Sequence, residues 1–147
     1  MPKHVSVADA RTLQQQGSTY VDVRSTKEFA AGHPDGAFNV PLLEHDPDTG
    51  QMAPNPDFIR VMQASFPADA PLLLGCQAGG RSMRAAQMLE SFGFGDVANV
   101  KGGFGGAKDP LGRTIDPGWV ESDLPVEPGQ PAGRSYRDLA AKADQTT

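Results

Sequence analysis

The chain has 147 residues, of which 38% are hydrophobic and 21% charged, a composition typical of a globular domain that buries its own core. Its 13 basic and 18 acidic residues leave a net charge of −5, which excludes nucleic acid and anionic membrane surfaces as favoured partners. No apolar stretch approaches the roughly 20 residues that cross a bilayer, and the N-terminus lacks the basic-then-apolar pattern of a signal peptide. We therefore expect a single domain located in the cytoplasm.

Cysteine and histidine are scarce in this sequence. Cys76 is the one cysteine, and the three histidines (His4, His33 and His45) lie far apart without metal-ligand spacing. A lone cysteine forms no internal disulfide, and such a set is a poor zinc or iron site. We therefore expect a reducing environment, no metal and no cofactor.

The N-terminal third alternates between helical and extended patterns. Residues 6–16 carry apolar side chains on one side and end at Gly17, which predicts a first helix. Residues 20–23 are apolar and β-branched, which predicts a strand. Ser25 and Glu28 have the capping-box spacing, so a short helix is expected to follow this strand directly.

The middle of the chain continues the alternation. A Pro-Asp-Gly turn precedes residues 37–40, which predict a brief buried strand, and residues 44–56 are predicted to be a polar loop. Apolar residues spaced by three and four over 58–66 predict an amphipathic helix that packs on the sheet and ends at Pro67.

The second half supplies two further strands and a helix. Residues 72–74 are three consecutive leucines, the pattern of a central strand covered on both faces, and they precede a predicted helix over 82–92 and a strand over 97–100. Glycine and proline then dominate, which predicts irregular loops, and residues 136–143 predict a last short helix. The order predicts an α/β domain with a central, mostly parallel sheet and helices on both faces.

The loop between the leucine strand and the next helix carries the chemistry. Cys76 directly follows the strand, where sites of parallel sheets form. Gly79 and Gly80 allow main-chain N–H groups to turn inward, and the helix start adds unpaired N–H groups near Arg81. The loop is therefore predicted to hold an anion and to keep the cysteine sulfur ionised. We assign catalysis to Cys76 and Arg81, and substrate binding to Gln77, Ala78, Gly79, Gly80 and Ser82.

A structural interpretation of the same loop treats Cys76 as a small buried residue and the glycines as an ordinary turn. A turn alone gives no reason to place the permanent charge of Arg81 beside the sulfur, so we favour the functional interpretation.

Several segments together resemble the rhodanese-homology domain family. The resemblance spans about residues 5–125, which we take as the domain, and leaves 126–147 as a C-terminal extension packed on it or trailing it. The matching segments, in the family's order, are Asp22-Val23-Arg24 with Glu28-Phe29, His33 to Pro41, Cys76 to Ser82, Val100 to Phe104, and Trp119.

This resemblance implies a sulfurtransferase. A small anionic donor such as thiosulfate, or another persulfide, is expected to transfer its outer sulfur to Cys76, and a thiol or cyanide then accepts the sulfur from the Cys76 persulfide. A protein thiol is a further expected acceptor.

Two alternatives remain open. One is a sulfur-relay or binding module with little small-molecule turnover. The other is a phosphatase or arsenate reductase, since related enzymes of this fold share the cysteine, cradle and arginine. Four residues separate Cys76 from Arg81, one fewer than in those enzymes, and the tighter ring suits a sulfur atom better than a tetrahedral oxyanion.

The remaining polar residues are interpreted as structural. Arg24 and Glu28 are expected to form an i,i+4 ion pair, and His33 to fix a loop by a hydrogen bond. Ser82 is expected to cap its helix, a role that does not exclude donation of a hydrogen bond to the sulfur anion. Residues 103–118 form an insertion relative to the compact family pattern, which is expected to shape or cover the mouth of the pocket.

Overall fold

The computed structural model describes residues 2–145, and its helices and strands alternate through the first two thirds of the chain. In chain order they are β1 (Lys3–Val5), α1 (Val7–Gln15), β2 (Thr19–Asp22), α2 (Thr26–Ala31), β3 (His33–Pro34), β4 (Phe38–Asn39), β5 (Leu43–His45), β6 (Met52–Pro54), α3 (Phe58–Ser65), β7 (Leu72–Gly75), α4 (Gly80–Ser91), β8 (Val97–Val100), β9 (Ala107–Lys108), β10 (Thr114–Asp116), β11 (Val126–Glu127) and α5 (Tyr136–Gln145).

The main sheet has five strands in the order β1-β8-β7-β2-β4. Every neighbouring pair in it is parallel, and β7 occupies the centre. All four residues of β7 are buried, as expected of a strand covered on both faces. The predicted α/β class, with a parallel central sheet, is confirmed.

Helices cover both faces of this sheet. Leu72 and Leu74 point into a core shared with α3, α4 and α5, whereas Leu73 points into a second core with α1 and Trp119. Because side chains alternate along a strand, the leucine run of β7 supplies both cores at once. This arrangement fixes the end of β7, and therefore Cys76, between the two layers.

The capping box predicted for the second helix is present. The Ser25 hydroxyl accepts a hydrogen bond from the Glu28 main-chain N–H at 3.2 Å, and the Glu28 carboxylate accepts one from the Ser25 N–H, also at 3.2 Å. The box starts α2 directly after β2 and so places Glu28 at the carboxyl end of the sheet.

Three segments differ from the sequence predictions. Residues 3–5, given no structure, form β1, which pairs in parallel with β8 at the edge of the sheet. The predicted polar loop over 44–56 instead contains the antiparallel pair β5 and β6. The region after Val100, predicted as irregular, contains the β9–β10 pair and β11. These strands are short and mostly exposed, so they lack the apolar alternation that identifies longer strands.

The C-terminal extension lies on the body of the molecule. Its β11 pairs with β3, and the Glu127 carboxylate accepts hydrogen bonds from the main-chain N–H of Gly36 at 3.1 Å and from Arg134. The last helix, predicted over 136–143, is α5, and it buries Leu139 and Ala143 in the core with α3. Residues 146 and 147 of the extension lie outside the described residues.

Among residues 2–145, the structure contains no helix with the length and apolar character needed to span a membrane.

Candidate active site

Cys76 is the first residue after β7 and begins a short loop that ends where α4 starts. The helix starts at Gly80, two residues earlier than predicted, so its first turn includes Gly80, Arg81 and Ser82. The first N–H groups of a helix have no carbonyl partner within the helix, and they carry the positive end of its dipole. The start of α4 therefore supplies N–H groups without partners in the helix at the end of the loop that begins with Cys76.

The Cys76 sulfur is held by two polar groups. The side chain is 2% exposed, and Sγ accepts a hydrogen bond from the Gly79 N–H at 3.1 Å. Gly79 has a φ of +118°, a left-handed conformation that favours glycine and turns its N–H toward the sulfur. The Ser82 hydroxyl lies 3.4 Å from Sγ. The Gly79 N–H stabilises negative charge on the sulfur, and the Ser82 hydroxyl does so when it donates to Sγ.

The Ser82 hydroxyl has more acceptors than protons. Its oxygen lies 2.6 Å from Asn99 Oδ1, 3.2 Å from the Gly79 carbonyl and 3.4 Å from Cys76 Sγ. A serine hydroxyl carries one hydrogen, so it donates to one of these atoms at a time. If the Asn99 amide turns its nitrogen toward Ser82, that nitrogen donates to the hydroxyl, whose hydrogen then points at the sulfur. The orientation of the Asn99 amide therefore affects which atom accepts the hydrogen bond from the Ser82 hydroxyl.

The predicted capping role of Ser82 is wrong. Gly79 is the N-cap residue of α4, and Ser82 is the third residue of the helix. Its side chain is fully buried and contacts the sulfur and Asn99 instead. The earlier helix start accounts for this difference, because it moves Ser82 from the cap into the first turn.

Arg81 is paired with Glu28 across the loop. Its guanidinium donates to the two Glu28 carboxylate oxygens at 2.8 and 3.1 Å, and the side chains are 19% and 31% exposed. Partial burial by itself raises the pKa of Glu28, but hydrogen bonds from Arg81 and Ser25 outweigh it and bring the pKa to about 2. The same hydrogen bond raises the pKa of Arg81. Both groups are charged at neutral pH.

The predicted ion pair between Arg24 and Glu28 is wrong. Arg24 pairs with Asp22 at 2.7 Å, and both side chains are almost completely buried. The Arg24 guanidinium also donates to the Gly32 carbonyl at 2.7 Å and lies 4.4 Å above the Phe104 ring. Because Arg24 precedes the helix, it turns back to its own strand and leaves Glu28 free to pair with Arg81.

The loop that follows β8 forms main-chain hydrogen bonds with the cysteine loop. The Phe104 N–H donates to the Cys76 carbonyl at 2.8 Å, and the Gly105 N–H donates to the Gln77 carbonyl at 2.9 Å. Gly103 has a φ of +55°, and a Cβ there would overlap the Cys76 carbonyl oxygen. Only glycine allows this close approach, which explains the glycine pair in the segment after β8.

The predicted binding residues occupy different depths. Gln77, Ala78 and Gly80 are exposed at the mouth of the loop, whereas Ser82 is buried beneath it. In the described part of the chain, Gly79 is the one main-chain donor to the sulfur. The roles of the other amides as donors to a bound anion stay predictions.

Sequence reasoning missed two residues of the site. Glu28 was assigned to the wrong partner, and Asn99 was not considered. The one available signal for Asn99 was a polar residue inside the apolar strand β8, where a buried amide needs a partner. His33, by contrast, is buried and contacts the Phe29 carbonyl at 2.7 Å and Glu127 at 3.0 Å, in agreement with the structural role assigned to it.

No group of three or more histidine, cysteine, aspartate or glutamate side chains suited to a metal ion occurs among residues 2–145.

The fold and the site define an α/β protein in which one cysteine sulfur lies beside hydrogen-bond donors at the carboxyl end of the central strand of a parallel sheet.

Comparison with known proteins identifies the family. The Rhodanese-like domain model matches residues 6–109. The chain is 34% identical over 127 residues to Thiosulfate sulfurtransferase 16, chloroplastic, of Arabidopsis thaliana, covering 86% of this chain and 94% of that protein. It is 36% identical over 120 residues to Thiosulfate sulfurtransferase GlpE of Pseudomonas fluorescens, covering 82% and 93%. Other curated relatives are longer, and the chain spans 58% to 64% of several of them.

A solved structure has a similar fold. The crystal structure of Rv0390 from M. tuberculosis is similar to this chain with a TM-score of 0.69 at 25% identity, covering 86% of this chain and 100% of that one. The chain belongs to the rhodanese-like domain family, and its relatives include sulfurtransferases.

Proposed function

We propose that this protein transfers sulfane sulfur from thiosulfate or another persulfide donor to a thiol or cyanide through a persulfide on Cys76. The observation that carries the proposal is the environment of the sulfur, which receives the Gly79 N–H and lies beside the Ser82 hydroxyl in a loop flanked by Arg81. The sequence-level similarity to two thiosulfate sulfurtransferases supports the same chemistry.

In the first half-reaction, the Cys76 thiolate attacks the outer sulfur of thiosulfate. A new S–S bond forms to Cys76, the S–S bond of thiosulfate breaks, and sulfite leaves with the bonding electron pair. The electron pair of the Cys76 thiolate forms the new bond, the outer sulfur keeps its negative charge as the end of the persulfide, and sulfite leaves as the dianion. We assign binding of the sulfonate oxygens in this step to Arg81 and to main-chain N–H groups at the start of α4.

In the second half-reaction, the acceptor attacks the terminal sulfur. Cyanide forms thiocyanate, whereas a thiolate forms a new persulfide, and in both cases the Cys76 thiolate is restored. The donors around Sγ stabilise it as the leaving group. No proton, metal or redox cofactor is required for either step, because one anion enters and one leaves.

The loop length favours sulfur over an oxyanion of phosphorus or arsenic. Four residues separate Cys76 from Arg81, and a loop of this length suits a sulfur atom better than a tetrahedral oxyanion. The cytoplasmic location expected from the sequence stays a prediction.

Steady-state turnover tests this proposal. The purified protein is incubated with thiosulfate and cyanide, and thiocyanate is measured by its colour with ferric iron. We expect saturable turnover that Cys76→Ser abolishes, with hydrolysis of an aryl phosphate at background level. Absence of thiocyanate formation, or phosphate hydrolysis that exceeds it, would contradict the proposal.

A further inference from the structure

A cleft opens beside the cysteine loop, and its lining is mostly apolar. It has a volume of about 540 Å³ and lies between Glu28 and Gln77 on the loop side and Phe104, Val120 and Val126 on the opposite side. We call it the side cleft. Gln77 directly follows Cys76, and Phe104 donates to the Cys76 carbonyl, so the cleft borders the residue that carries sulfur.

The walls of the side cleft are fixed by contacts within the molecule. The Phe104 ring lies under the Arg24 guanidinium at 4.4 Å, and the Val120 N–H donates to the Phe104 carbonyl at 3.1 Å. Val126 belongs to β11, which is paired with β3. A Cβ placed on Gly32 would touch Phe104 and Val126, each at 3.6 Å, so this glycine keeps the floor of the cleft open.

The charged groups that line the side cleft are already neutralised. Arg24 is paired with Asp22, and Glu28 is paired with Arg81. Apart from the uncharged amide of Gln77, the remaining wall is mostly hydrocarbon, with Val120 49% and Val126 45% exposed. A ligand therefore gains little from a charge here but gains from covering the two valines and the ring.

The size of the side cleft exceeds what the small reactants need. Thiosulfate and cyanide are a few atoms large and carry a charge, so neither covers an apolar wall of this size. An acceptor thiol must bring its sulfur to Cys76 while the rest of the molecule lies outside the loop. The cleft starts where that remainder would lie, because Glu28 and Gln77 belong to both the loop mouth and the cleft.

We propose that the side cleft binds the apolar body of an acceptor thiol and selects uncharged alkyl or aryl thiols over small polar ones. This inference rests on the proposed sulfurtransferase function. It also gives a role to the chain after β8, which supplies Phe104, Val120 and Val126.

The test compares three acceptors at saturating thiosulfate, with sulfite release as the common readout. The acceptors are phenylmethanethiol, which has an apolar body, 2-mercaptoethanol, which is small and polar with similar thiol acidity, and cyanide, which has no body. In a two-step exchange, kcat/KM for the acceptor reports the second half-reaction. We expect phenylmethanethiol to exceed 2-mercaptoethanol by roughly tenfold.

Variants locate the effect. Val120→Ser and Val126→Ser are each expected to lower kcat/KM for phenylmethanethiol by roughly three- to tenfold and to leave the value for cyanide unchanged. Leu111→Ser is the matched control, because Leu111 is 78% exposed and does not line the cleft, and it is expected to change none of the three values.

The outcomes separate the two claims. Turnover with cyanide, combined with equal kcat/KM for both thiols or with unchanged kcat/KM in the valine variants, overturns the proposed role of the side cleft. The proposed sulfurtransferase function is not affected by that result. A valine variant that lowers all three values alike also overturns the role of the side cleft, since that pattern reports a general structural effect. Absence of sulfite release with every acceptor overturns the proposed function and the side cleft together.

Discussion

The Glu28 carboxylate binds the Arg81 guanidinium through two hydrogen bonds, although the two residues are 53 positions apart in the sequence. The pair joins α2 to the start of α4 across the mouth of the cysteine loop. It holds the guanidinium in place, but it also sets a carboxylate beside the cation to which we assign binding of the anionic donor. The strength of donor binding therefore depends on both partners.

Replacing Glu28 by glutamine tests this competition. Glutamine retains the capping-box geometry and a hydrogen bond to Arg81 but removes the negative charge. We expect Glu28→Gln to lower KM for thiosulfate by roughly three- to tenfold, with a smaller effect at high salt because salt screens the carboxylate. Initial rates of sulfite release at two ionic strengths measure it. A KM that rises would mean that Glu28 mainly positions Arg81.

Removal of the Arg81 guanidinium is expected to weaken the use of thiosulfate, the opposite of the effect expected for Glu28→Gln. Arg81→Ala eliminates the charged donor at the loop and is expected to lower kcat/KM for thiosulfate by about 10²- to 10³-fold. Arg84→Ala is the control, because Arg84 is exposed on the same helix one turn later. Equal losses in the two variants would show that general positive charge, rather than the place of Arg81, supports donor binding.

Removal of the Ser82 hydroxyl and removal of its neighbour Asn99 are expected to have different effects on the reactivity of Cys76. Ser82→Ala removes the hydroxyl beside the sulfur and is expected to slow alkylation of Cys76 by iodoacetamide roughly tenfold, the value of one hydrogen bond to a charged atom. Asn99→Leu removes the competing acceptor and leaves the hydroxyl free to donate to the sulfur, so alkylation is expected to stay at least as fast. Mass spectrometry over time gives both rates. A slower Asn99→Leu variant would contradict the competition for one proton.

Acid should loosen the C-terminal extension. Mainly because Arg134 donates to its carboxylate, the pKa of Glu127 lies at about 2, below its ordinary value of 4.5. A lowered folded-state pKa stabilises the fold above about pH 4.5, and this contribution is lost as pH falls toward about 2. We expect it to reach about 2 to 3 kcal/mol and to be absent in Glu127→Gln. Urea unfolding of both proteins at about pH 7 and about pH 3 measures it, and equal pH dependence would refute it.

The sequence was sufficient for the elements that local patterns define. The leucines of β7 are apolar without alternation, and the Ser25–Glu28 spacing is typical of a helix start. The central strand and the start of α2 could therefore be predicted from the sequence alone. The glycine pair and Arg81 directly after the leucine strand likewise identify the Cys76 loop from local pattern, and the family resemblance agrees with that assignment. These features depend on neighbours within a few residues along the chain.

The partners of charged residues could not be predicted in this way. Arg24 and Glu28 have the spacing of a helical ion pair, but Arg24 lies before α2 and pairs with Asp22, while Glu28 pairs with a distant residue. The pairing of β1 with β8 and the contact of Asn99 with Ser82 likewise connect remote segments. No local rule encodes these contacts, since they arise only when the sheet has assembled.

The most direct test of the account is the mass of the intact protein after incubation with thiosulfate and removal of small molecules. The account predicts a gain of one sulfur atom, which cyanide then removes, and no gain in Cys76→Ser. Because Cys76 is the sole cysteine of the chain, a gain that persists in Cys76→Ser, or no gain in the unmodified protein, would contradict a persulfide at this site.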